Sequence, residues 1–65
     1  MNTRRNQLLN DIADMKKEVE VYENCLNYAT KYSVLGDIEY YGELRNHIIR
    51  RIERAEDELQ QLKSA

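Results

Sequence analysis

No proline, phenylalanine or tryptophan occurs in the 65 residues, and the chain has two glycines, one cysteine and one histidine. Each scarcity excludes something. Cys25 has no second cysteine to bridge to, and one thiol with one imidazole falls short of the four ligands of a structural zinc site. With both staples missing, a chain this short depends on regular helix packing or on association, because one small core supplies only about 3 to 5 kcal/mol. No apolar run approaches the ~20 residues that span a bilayer, so no membrane partner is expected. Residues Met1 to Gln7 lead into no apolar stretch of a secretory kind, and a lone cysteine suits a reducing compartment. A cytoplasmic location is therefore the expectation.

Catalytic signatures are missing too. His47 has Glu43 four residues before it, but no glycine-rich nucleophile turn, His-Glu-x-x-His pair, phosphate loop or Cys-x-x-Cys accompanies it. The expectation is a protein that is not an enzyme, with no metal and no cofactor. The formal charge of -2, with 34% charged residues, gives no global basic field for nucleic acid.

What is present is helical periodicity. Leu8, Ile12, Met15, Val19, Tyr22, Leu26 and Ala29 recur at spacings of 4, 3, 4, 3, 4, 3, a single apolar stripe over three heptads. Asn2 or Thr3 is the candidate N-cap. Tyr41, Leu44, Ile48, Ile52, Ala55, Leu59 and Leu62 form a second stripe with one extra four-residue step near Ile48. Between them, Gly36-Asp37 reads as a stop followed by a cap. The prediction is a single all-α domain over residues 1–65, an antiparallel, coiled-coil-like hairpin with helices over about 4–34 and 38–63 and a bend at about 35–37. In that register Ala29 faces Leu44, Leu26 faces Ile48, Tyr22 faces Ile52, Val19 faces Ala55, Met15 faces Leu59 and Ile12 faces Leu62.

A further stripe, Val21, Cys25, Tyr28 and Tyr32, lies about 90° from the first on the same helix, and Ile49 lies beside the seam of the other. One partner helix cannot cover two stripes. These residues are expected to join two hairpins into a homodimeric four-helix bundle. Around the bend, Tyr28, Tyr32, Tyr40 and Tyr41 gather with Leu35 and Ile38, and tyrosine suits protein interfaces because it joins a large rigid ring to a polar tip. His47, Arg50, Arg51 and Arg54 make a basic face on the second helix, where arginine forks are suited to the phosphates of a nucleic acid or nucleotide.

In length, hairpin layout and inferred pairing the chain resembles the plasmid RNA-binding Rop proteins, a resemblance that implies RNA as ligand. Tyr41-Gly42-Glu43-Leu44-Arg45 is similar, in Glu-Leu alone, to the Ser-Gln-Glu-Leu-Asp motif of the small sporulation aspartyl-phosphate phosphatases, with arginine in place of the final acid. The leading functional expectation is a small regulatory or adaptor protein that binds another protein; the alternative is RNA or nucleotide binding through the second-helix arginines.

Overall fold

A computed structural model describes residues 3–64, so Asn2, one of the two candidate caps, lies outside the described residues. Helix α1 runs Thr3–Lys31 and helix α2 Leu35–Ser64. No strand occurs among the described residues, and the two helices pack against each other as an antiparallel hairpin measuring 49 × 14 × 11 Å. At 1.5 Å per residue a helix of this length spans about 43 Å, so each helix runs nearly the whole long axis.

The apolar stripes meet along the axis. Ile12, Met15, Ile48 and Ile52 form the buried centre, with Val19, Tyr22, Ala55 and Leu59 packed against it. Leu8 towards the open end and Ala29 towards the bend are also buried. With only these side chains enclosed, the core stays one layer thick.

The bend is not where the glycine suggests. It occupies residues 32–34, three residues before the expected 35–37, and the left-handed residue is Ser33 at φ 56°. The Val34 N-H donates to the Ala29 carbonyl at 2.9 Å and the Ser33 N-H donates to the Thr30 carbonyl at 3.2 Å, the paired bonds of a Schellman stop. The Ile38 N-H then donates to the Val34 carbonyl at 3.0 Å, so Val34 occupies the cap position of α2. Asp37 is therefore not the N-cap but stands in the first turn, where its charge still favours the positive end of the helix dipole. Gly36 has ordinary helical backbone and no positive φ.

Moving the bend moves the register. Cys25 and Ala29 share a groove with Tyr41 and Asp37, and Leu8, Asp11 and Met15 share another with Glu58, Ala55 and Arg51. The Tyr22 and Tyr41 rings lie 6.3 Å apart. Opposing residues on α2 thus sit seven positions closer to the bend than expected, and Leu26 is not among the side chains packed on the Ile48 cluster. The physical reason is the shared period: sliding two heptad stripes by seven residues again sets apolar against apolar. In this register the α2 seam reads Ile38, Tyr41, Arg45, Ile48, Ile52, Ala55, Leu59, Leu62, a strict alternation of 3 and 4 that dispenses with the extra step. A left-handed serine costs about 1 to 2 kcal/mol. A regular, continuous seam offsets it.

Candidate interaction surface

At the bend, three apolar side chains reach solvent: Leu35 is 74% exposed, Tyr32 57% and Val34 40%. A connection of three residues is too short to fold back over them. The Tyr28 and Tyr32 rings touch at a 46° tilt, 4.6 Å between centroids, and the Lys31 Nζ lies 5.7 Å from the Tyr32 centroid, within the range of a cation–π contact. The tip is therefore aromatic, aliphatic and flanked by one cation.

Of the six residues expected at a protein interface, Tyr28, Tyr32, Tyr40 and Leu35 are exposed, whereas Ile38 and Tyr41 are half-buried between the helices. Tyr41 belongs to the hairpin seam, its ring 5.2 Å from Tyr40 in an edge-to-face arrangement. The neighbouring Cys25 thiol, partial burial and the Asp37 carboxylate all raise the Tyr41 phenol above its ordinary value of 10.0. A surface groove of about 400 Å³ runs along this side, lined by Asn24, Cys25, Tyr28, Ala29, Asp37 and Tyr41.

The expected pairing stripe divides between two faces. Cys25 and Tyr28 border that groove, and Val21, one heptad before Tyr28, is 56% exposed on the same stripe. Ile49 is half-buried one heptad before Glu56, whose carboxylate reaches the Lys16 Nζ at 3.8 Å on the opposite side of the hairpin. The structure thus brings Val21, Cys25, Tyr28 and Tyr32 together and leaves Ile49 apart from them.

The four basic residues are all exposed, but their setting is mixed. Arg51 and Arg54 line an open groove of about 450 Å³ that also holds Asp11, Asp14, Glu18 and Glu58. An anion entering there meets four carboxylates, which weakens the case for phosphate. His47 and Arg50 lie outside that lining.

Two features escaped the reading of the sequence. Arg4 grips Glu58 with both ends of its fork, Nε to Oε2 at 2.5 Å and Nη2 to Oε1 at 2.8 Å, tying the start of α1 to the last turns of α2. The hydrogen bond lowers the Glu58 carboxyl from its ordinary 4.5 and raises the guanidinium. Arg45 is the second: it is half-buried in the seam, and its Nε is shut off from solvent without a hydrogen-bond partner. The signal was present, since Arg45 completes the 3 and 4 alternation from Tyr41 to Ile48, but its charge disguised it.

Among the described residues no cluster of three or more histidine, cysteine or acidic side chains is placed to hold a metal, and no helix is long and apolar enough to cross a membrane. No protein-family model matches the chain, and neither a curated protein nor a solved structure shows significant similarity to it.

Proposed function

We propose that this chain is a small regulatory or adaptor protein that acts by binding rather than catalysis, pairing into a four-helix bundle and holding another protein at the tip of its bend. One observation carries the reading: Tyr32, Val34 and Leu35 form an exposed apolar cluster that the hairpin's own fold leaves uncovered. A small protein gains nothing in stability from a leucine three-quarters in water, whereas burying it against a partner contributes about 1.5 to 3 kcal/mol. The Tyr28 and Tyr32 rings, in tilted contact, add rigid area that loses little side-chain entropy on association.

The test begins with cross-linking and mass spectrometry in the native host to identify the bound protein, followed by calorimetry with that protein purified. Leu35→Asp and Tyr32→Ala alter exposed positions, so the hairpin stays folded, and each is expected to weaken binding at least tenfold with little dependence on salt. Unchanged affinity in both variants refutes the tip as the binding site. Affinity that collapses with added salt and with Arg50→Glu, in a complex containing RNA or nucleotide, replaces this reading with the phosphate one.

A further inference from the structure

We infer that the face bearing Val21, Cys25 and Tyr28 is covered by a second copy of this chain, with the two bends at the same end of the bundle. The inference rests on the bundle part of the proposed function and adds the face and the direction. Area gives the first argument. A compact protein of 7.8 kDa exposes about 4,400 Å², whereas this hairpin exposes 5230 Å². The excess, about 850 Å² over the whole elongated surface, is of the size that one partner gives up in a standard interface, roughly 800 Å² a side, so a second hairpin laid along one face would bring the surface to that of a compact protein.

Charge gives the second argument and selects the occupant. Asp14 and Glu18 on α1 and Arg51 and Arg54 on α2 border one groove, yet among the described residues none of the four makes an ion pair, the pairs there joining Arg4 to Glu58 and Lys16 to Glu56. Apart from Arg4 and Glu58, which neutralise each other, the groove is thus acidic along α1, with Asp11, Asp14 and Glu18, and basic along α2, with Arg51 and Arg54. A two-fold axis along the length of the hairpin sets each α1 beside the other copy's α2 at the same level, running antiparallel. Acids then meet arginines in both halves of the symmetric interface.

The half nearer the bend matches as well. Val21 and Tyr28 on α1 come level with Leu44 of the partner subunit, one heptad before Arg51, and with the exposed Tyr40 of the partner subunit. Reversing one hairpin end for end would place those tyrosines against the charged half instead, desolvating acids and arginines over apolar rings. The same-end arrangement leaves both Leu35 side chains uncovered, so the assembly presents two partner sites facing one way.

Sedimentation of the full chain tests this at about 100 µM, where a micromolar complex is saturated. The wild type is expected at twice its chain mass. Asp14→Arg with Glu18→Arg makes both helices basic on this face, and Arg51→Glu with Arg54→Glu makes both acidic. Each double variant alone is expected to dimerise at least tenfold more weakly, while their equimolar mixture recovers wild-type association. A monomeric wild type overturns the inference, and so does a mixture that fails to associate although both variants keep their helical circular dichroism. Should a double variant unfold, a mixed isotope-labelled and unlabelled wild-type sample decides: nuclear Overhauser contacts from Val21 to Leu44 of the partner subunit are expected, and their absence overturns the arrangement. The two readings fail separately. A monomer that loses its partner on Leu35→Asp keeps the tip and sinks the dimer, and a dimer of this geometry indifferent to Leu35→Asp does the reverse.

Discussion

Ser33→Gly and Gly36→Ala exchange the residue types at two neighbouring positions, and the structure fixes the sign of each effect. Ser33 is left-handed at φ 56°, a conformation that costs an L-residue about 1 to 2 kcal/mol and glycine almost nothing. Glycine gives back part of this through its greater freedom when unfolded, about 0.5 to 1 kcal/mol, leaving a net gain of about 0.5 to 1 kcal/mol. Gly36 has helical backbone in the first turn of α2, and a Cβ built there meets nothing within 4 Å. Alanine is thus expected to stabilise by about 0.4 to 1 kcal/mol. Each gain corresponds to a rise of roughly 4 to 8 °C per kcal/mol in a domain of this size. Urea and thermal unfolding, followed by far-ultraviolet circular dichroism at one fixed protein concentration, measure both changes. If the chain reversed at Gly36 instead, alanine would be forced into the left-handed region and glycine would interrupt a helix at 33. Both substitutions would then destabilise, and that pair of signs would refute the placement of the bend.

Two further outcomes follow from the seam and its open end. Arg45→Met keeps most of the volume of the side chain and removes a buried N-H without an acceptor, so the hairpin is expected to gain about 1 kcal/mol in the same unfolding assay; a loss of that size would show that the guanidinium is satisfied in solution. Glu58 is held below its ordinary 4.5 by Arg4, so the pair stabilises the fold above that value and its contribution disappears as pH falls through the lowered folded value. Both groups are exposed and the effect on stability is modest. Carboxyl NMR titration is expected to show the Glu58 midpoint returning to the ordinary range in Arg4→Ala, and an unmoved midpoint would contradict the bidentate contact.

The residues of α1 announced their role openly. Leu8, Ile12, Met15 and Ala29 are buried where the 3 and 4 spacing put them, and Ile48 and Ile52 likewise on the other helix. The alignment of one helix on the other was not legible from these residues, because a seven-residue repeat satisfies several alignments and the choice falls to the turn. There the strongest local cue misled: Gly36 is the residue best able to become left-handed, but serine takes that conformation so that Ala29, Cys25 and Tyr41 meet in one continuous seam. Arg45 was hidden for a related reason, since a charged residue at a seam position reads as an irregularity when Leu44 stands beside it. Among the surface residues, Tyr28, Tyr32, Tyr40 and Leu35 are exposed, while Ile38 is drawn inward by the shifted alignment and Tyr41 keeps the seam place that the periodicity gave it.

A zipper whose teeth all match has no preferred notch, and two greasy helical edges repeating every seven residues come close to that condition. Arg45 spoils the uniformity. Its stem fills a tooth position while its cationic head must find a way out to water, so any slide by one period has to rehouse that head among a different set of neighbours. One awkward guanidinium is therefore expected to serve as an index mark, so that Arg45→Met gains cohesion but lets the two edges settle in more than one place.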